Sequence, residues 1–312
     1  MKSKVLIVFF SFFAALLHAQ TGKLFDADKQ LSSSFTSQVY LDRDGFIWAV
    51  TRNGLNKYDG YKFHILKKDR EQNNGMASNY VNCMVQDRDG LFYMGMYGAL
   101  QTYDGDKFRN VEVQDLDGNV VPCYMTCFLM RKNGEILAGT SGHGVIKVLD
   151  RNHAKQQNGA LRQIHTVQEM MEDRNGHVWI VTSDKGLLEY DGKNAKAYFD
   201  DDDFRPTLRR ICADRDGNIY VGTSNKGVYV RDAAGKNGFR HIEVTGNRHI
   251  ATLYCNRAGQ MMMGFDGEGL GIYDPKKGTM QLNPYFSSEV DLSSSKVYSI
   301  VEDGGGNIWL GL

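Results

Sequence analysis

Along the chain, short apolar stretches alternate with polar turns that contain glycine, and nothing repeats at the 3.6-residue period of an amphipathic helix. Two adjacent apolar or thiol residues stand six and five positions before a recurrent glycine, as Val39-Tyr40, Met84-Val85, Phe128-Leu129, Met170-Met171, Ile211-Cys212, Leu253-Tyr254 and Ile300-Val301. Neighbouring residues of a strand face opposite sides, so this strand is covered on both faces. A second apolar strand follows the glycine, for example Ile219-Tyr-Val-Gly-Thr223. A further glycine opens a third, such as Leu55-Asn-Lys-Tyr58, which in several copies ends in Tyr-Asp-Gly.

The turn itself recurs. Asp42-Arg-Asp-Gly-Phe-Ile-Trp48 returns as Asp87-Arg-Asp-Gly-Leu-Phe-Tyr93, Asp173-Arg-Asn-Gly-His-Val-Trp179, Asp214-Arg-Asp-Gly-Asn-Ile-Tyr220 and Asp303-Gly-Gly-Gly-Asn-Ile-Trp309, with weaker copies around Gly134 and Gly259. The anchoring glycines Gly45, Gly90, Gly134, Gly176, Gly217, Gly259 and Gly306 are separated by 45, 44, 42, 41, 42 and 47 residues. Four strands of five to six residues plus turns fill such a unit, which is the size of a propeller blade. A leucine-rich solenoid has a shorter period. The expected architecture is all-β: a seven-bladed β-propeller of four-stranded antiparallel blades. The chain ends at Leu312, after the second strand of the seventh unit, so the seventh blade is expected to be incomplete and the sequence a fragment. Residues 22–29 are expected to supply the outermost strand of that blade.

Composition narrows the partner. The 312 residues carry 37 basic and 37 acidic side chains, a formal net charge of zero, so a general electrostatic grip on nucleic acid or anionic lipid is excluded. With 42% hydrophobic residues, and 34 glycines against 4 prolines, the chain is a folded one built of strands and turns. Met1-Lys-Ser-Lys4, the apolar run 5–17 and the small residue Ala19 have the form of a secretory signal peptide over 1–19, leaving 20–312 as the propeller. The apolar run is too short to span a bilayer. Five cysteines, Cys83, Cys123, Cys127, Cys212 and Cys255, are expected as buried thiols; Cys123 and Cys127 are too far apart along a strand to bridge.

The Asp-x-Asp-Gly segments resemble calcium loops, but lack the further oxygen ligands, and Arg131 and Asn256 fill the same slot in other units. Turn formation is the better reading. The acidic run Asp200-Asp-Asp-Asp203 reads as a solvated loop between blades. No nucleophile elbow or metal-spaced His and carboxylate set is present, so neither enzyme activity nor a metal or other cofactor is expected. Loops joining second to third strands should share one face with the interblade connections. That face is expected to bind ligand through Arg52, Tyr97, His143, Asp184 and Asp266 from the loops, and through Glu169, Arg209, Arg210 and Tyr298 on or beside the innermost strands. Aromatic and planar polar groups of this kind suit a sugar.

The stretch Asp42-Arg-Asp-Gly-Phe-Ile-Trp-Ala-Val-Thr-Arg-Asn-Gly-Leu-Asn-Lys-Tyr-Asp-Gly60 resembles the two-component regulator propeller repeat of Bacteroides-type hybrid two-component system histidine kinases. Leu31-Ser-Ser-Ser-Phe35, Met76-Ala-Ser-Asn-Tyr80 and Leu292-Ser-Ser-Ser-Lys296 resemble the lead-in that precedes blades of that family. The resemblance implies a periplasmic sensor propeller that binds an oligosaccharide or other small ligand and contacts a second propeller of the same full-length sensor, with the kinase and DNA-binding parts lying outside these residues. It implies no nucleic-acid or membrane contact by this part. Two other functions stay open: a free-standing propeller that binds protein or polysaccharide, and a propeller polysaccharide lyase or hydrolase.

Overall fold

The structure is a computed structural model and describes residues 22–25, 30–69, 75–284 and 290–312. The signal peptide expected over 1–19 lies outside the described residues. The fold is an all-β, seven-bladed propeller built from antiparallel sheets. Blade one comprises β1 (Thr36–Leu41), β2 (Ile47–Thr51), β3 (Gly54–Tyr58) and β4 (Phe63–Leu66); blade two, β5 (Val81–Gln86), β6 (Phe92–Met96), β7 (Ala99–Tyr103) and β8 (Phe108–Gln114). Blade three follows as β9 (Tyr124–Met130), β10 (Ile136–Ser141), β11 (Val145–Val148) and β12 (His153–Gln156); blade four as β13 (Val167–Glu172), β14 (Val178–Thr182), β15 (Leu187–Tyr190) and β16 (Ala195–Tyr198). Blade five has β17 (Leu208–Ala213), β18 (Ile219–Thr223), β19 (Val228–Arg231) and the two-residue β20 (Arg240–His241). Blade six has β21 (Ile250–Cys255), β22 (Met261–Phe265), β23 (Leu270–Asp274) and β24 (Thr279–Leu282), and blade seven β25 (Ser299–Glu302) and β26 (Ile308–Gly311).

The chain forms two compact units. One gathers the described residues of Met1–Thr51, Asn56–Ile65 and Arg210–Leu312; the other holds those of Arg52–Leu55 and Leu66–Arg209. In the second unit, blades two and three merge into one eight-stranded sheet, because His153–Lys155 of β12 pair in parallel with Glu112–Gln114 of β8. Blade-by-blade reading did not anticipate this junction.

The repeated turn is a hydrogen-bond device. One carboxylate oxygen of Asp42 accepts the backbone N–H groups of Asp44 (3.1 Å) and Phe46 (2.8 Å), and the other accepts the indole N–H of Trp48 (2.8 Å). The same indole bond joins Trp179 to Asp173 (3.0 Å) and Trp309 to Asp303 (2.9 Å), and the Tyr220 hydroxyl takes its place on Asp214 (3.0 Å). An aspartate that terminates one strand therefore also holds the large side chain of the next. The oxygens a cation would need are spent on the turn.

Glycine marks close approach between blades. A Cβ on Gly95 of β6 would sit 2.5 Å from the Cβ of Met125 on β9, and one on Gly222 of β18 would sit 2.6 Å from a methyl carbon of Ile250 on β21. Gly139, Gly264 and Gly311 hold the same place, five residues after their anchors, against Val167, Val297 and Thr36. At these five glycines the inner strand of the next blade presses into a groove that a side chain would fill, whereas blades one and four carry Val50 and Val181 at that place. Buried amides fix the lead-in segments: Asn56 of β3 accepts the Ser32 N–H (2.8 Å) and donates to Ser32 Oγ and to the Ala49 carbonyl, while Gln101 of β7 accepts the Ala77 N–H (2.9 Å) and donates to Gly75 O and Asn110 Oδ1.

Blade seven meets blade one within the first unit. The Thr36 N–H donates to the Leu312 carbonyl (2.9 Å) and the Val39 N–H to Ser299 Oγ (3.0 Å). The expectation of a closing strand over 22–29 is corrected for its described part: 22–25 form no strand. Phe25 instead plugs the space beside Trp309, stacked at 6.2 Å, with Phe63 at 5.2 Å and Tyr58 at 5.3 Å. Residues 26–29 lie outside the described residues.

Candidate functional site

The loops between second and third strands meet the lead-in of their own blade through a recurrent backbone bond. Tyr97 N donates to Tyr80 O (3.1 Å), Ser183 N to Thr166 O (3.1 Å) and Asp266 N to His249 O (3.3 Å). The acceptor always stands ten residues before the anchor glycine, a position occupied by Phe35, Tyr80, Tyr124, Thr166, Thr207, His249 and Lys296. In these three blades the column and the loop therefore lie on one face.

In the second unit two residues of the column and one of a loop form an aromatic triad. The ring centroid of Tyr97 lies 6.1 Å from those of both Tyr80 and Tyr124, which are 6.2 Å from each other, with planes inclined by 53–82°. Tyr80 and Tyr124 share a hydroxyl–hydroxyl bond of 2.8 Å, and the Arg52 guanidinium sits 5.5 Å over the Tyr80 ring. Burial, then the hydrogen bond and charge of Tyr80, push the Tyr124 phenol above its ordinary range, so it stays neutral. Tyr97 is 68% exposed. Two of the expected site residues, Arg52 and Tyr97, are thus brought together by Tyr80 and Tyr124, which the sequence reading missed. An exposed aromatic face beside hydroxyl and guanidinium donors can stack on a flat apolar surface and bond the polar groups at its edge.

The first unit carries a smaller cluster. The Tyr298 ring lies 4.9 Å from that of Phe35, and Asp266 pairs with Lys296 (2.5 Å) and His249 (3.6 Å). The bond to Asp266 raises the Lys296 ammonium above its usual value.

The remaining expected residues have structural engagements. Asp184 accepts the backbone N–H groups of His165 (3.2 Å) and Thr166 (3.3 Å), closing its own loop. The His143 N–H donates to Thr140 Oγ1 (3.1 Å), and its residue is half-buried. Arg209 donates to the carbonyls of Pro206 and Leu208, both at 2.8 Å, and Glu169 is half-buried on β13. Arg210 donates from Nε to Ala251 O on β21 (2.6 Å). Asn82 and Thr126 make the same reach, to Met125 O (2.8 Å) and Val167 O (2.7 Å). These polar residues of the inner strands are struts from blade to blade.

Among the described residues, Asp173, His177 and Glu189 are the group whose ligand atoms come close enough to hold a cation, within 4.8 Å of one another. They are already engaged. Asp173 takes the turn N–H groups and the Trp179 indole, while Glu189 meets His177 Nδ1 (3.0 Å) and accepts the Tyr198 hydroxyl (2.7 Å). The bond to Glu189 raises the His177 pKa.

The cysteines are less uniformly buried than expected. Cys83 and Cys123 are buried, and burial pushes the Cys123 thiol up to about 11, but Cys127, Cys212 and Cys255 are half-buried.

A β-propeller built on a repeated Asp-turn-Trp unit is thus defined by the fold. Residues 291–312 match the family model of the two-component regulator propeller. A histidine kinase P4 from Formosa agariphila is 35% identical over 75 residues, which cover 23% of this chain and 6% of that protein. Among solved structures, the extracellular domain of a hybrid two-component system from B. thetaiotaomicron superposes with a TM-score of 0.78 at 20% identity, covering 93% of this chain and 40% of that one. Virginiamycin B lyase from Staphylococcus aureus superposes with a TM-score of 0.66 at 10% identity, covering 89% of this chain and 95% of that one. The chain therefore spans well under half the length of the sensor proteins it matches. No helix of the described residues is long and apolar enough to cross a membrane.

Proposed function

We propose that the chain is the ligand-sensing propeller of an exported hybrid two-component regulator, and that it binds an oligosaccharide on the face formed by Arg52, Tyr80, Tyr97 and Tyr124. The cluster itself carries the reading. The exposed Tyr97 ring beside two linked phenols and a guanidinium offers an apolar face for sugar C–H groups and edge donors for hydroxyls. Export through a leader over 1–19, a periplasmic location and contact with a second propeller of a longer sensor belong to the same proposal. Binding, rather than turnover, fits side chains that are tied to one another and to backbone groups. The lyase-like fold of one structural neighbour favours a second reading, turnover of a polysaccharide. Incubating the purified chain with a panel of dietary and host oligosaccharides separates the two. Saturable binding with no new reducing or unsaturated ends supports sensing; appearance of such ends supports the enzyme, and no binding across the panel refutes the sugar.

A further inference from the structure

Cys212 on β17 and Cys255 on β21 belong to the inner strands of neighbouring blades in one compact unit. Their Sγ atoms lie 3.2 Å apart. A disulfide needs about 2.05 Å, so roughly 1 Å of closing motion separates this contact from a covalent bond, within reach of small χ1 rotations. The strands that carry them are already fixed to each other by the Arg210 Nε bond to Ala251 O (2.6 Å). Both cysteines, like Cys127, are half-buried, whereas Cys83 and Cys123 are buried.

We propose that Cys212 and Cys255 form a disulfide that staples blade five to blade six. The oxidant is a small disulfide of the glutathione class. The thiolate of one cysteine attacks a sulfur of oxidised glutathione, giving a protein–glutathione mixed disulfide and one glutathione thiolate. The thiolate of the other cysteine then attacks the protein-side sulfur, forming the Cys212–Cys255 bond and releasing the second glutathione. Two protein thiols lose two electrons and two protons, and one oxidised glutathione becomes two reduced ones. The bond joins residues 43 apart in sequence, one more than the 42 between Gly217 and Gly259, and so ties consecutive blades through positions one residue out of step in the repeat.

The test uses the purified chain, folded, in buffers of defined oxidised to reduced glutathione ratio, and depends on neither ligand nor cellular location. Remaining thiols are alkylated after unfolding, and the protein is digested without reduction for mass spectrometry. A peptide pair joining Cys212 to Cys255, lost on reduction, with Cys83, Cys123 and Cys127 alkylated, is the expected result. Full alkylation of Cys212 and Cys255 in every buffer overturns the proposal, as does linkage of either to another cysteine or to glutathione alone. In Cys255→Ser, Cys212 should become fully alkylated or glutathione-capped; a Cys212 that enters a protein disulfide there overturns the proposal.

Discussion

Replacing Asp42 with alanine tests the turn device most sharply. Its carboxylate is 5% exposed and accepts three N–H groups, one from a Trp48 side chain that is itself 2% exposed. Alanine leaves a buried indole donor and two turn donors without a charged acceptor, and hydrogen bonds to charged groups contribute about 1.5–3 kcal/mol each. The bonds share one group and one turn, so their losses overlap and the expected cost is about 3–5 kcal/mol. Asp42→Asn keeps an acceptor for the turn but points an NH2 group at the indole N–H, and should cost about 2–3 kcal/mol. Asp87 accepts the Asp89 and Leu91 N–H groups at 2.9 and 2.8 Å, with Tyr93 rather than Trp following, so Asp87→Ala should cost only about 1–2 kcal/mol. Urea unfolding followed by tryptophan fluorescence gives the order through the midpoints. Equal midpoints for Asp42→Ala and Asp87→Ala would refute the claim that the aspartate supports the next strand's tryptophan.

Other consequences are as direct. Gly95→Ala forces a Cβ to 2.5 Å from that of Met125 and should lower stability by about 1–3 kcal/mol in a thermal melt, although its backbone needs no glycine conformation. Asp59 accepts the N–H groups of Lys62 and Tyr61, and Asp104 bonds Arg109 and two backbone N–H groups, which holds both carboxyls below their ordinary value of 3.8. Their stabilisation is complete above that value and is lost as pH falls through the lower folded-state values. The melting temperature should therefore drop below about pH 4, and less steeply in Asp59→Asn/Asp104→Asn. Asn56→Leu removes three bonds that hold the lead-in of blade one and should cost about 2–4 kcal/mol by urea titration.

Much of this was legible in the chain. Gly45 to Gly306 set the blade count, and the fixed offset of Trp48, Trp179 and Trp309 from their anchors is now explained by the aspartate three residues before each glycine. What escaped was anything decided by where blades touch. Tyr80 and Tyr124 look like core aromatics of strand margins; only the shared position ten before the anchor marks them as facing Tyr97. Arg210 looks like a ligand group by charge, yet the neighbouring strand offers it a carbonyl at 2.6 Å. Cys212 stands five before its glycine and Cys255 four before its own, so aligning the repeats does not superpose them although their sulfurs meet. The union of β8 with β12 depends on two outer strands lying edge to edge, which no pattern within either strand encodes.

The central claim is that Arg52 and the tyrosine triad bind a sugar on an exposed face. Isothermal titration of wild-type chain and Tyr97→Ala with an oligosaccharide taken from the panel tests it most directly, with circular dichroism and melting temperature as folding controls. Because Tyr97 is exposed and holds no buried partner through its hydroxyl, the variant should fold as the wild type does while binding about tenfold more weakly, a loss of about 1.4 kcal/mol. Identical affinity in the two proteins would contradict the account.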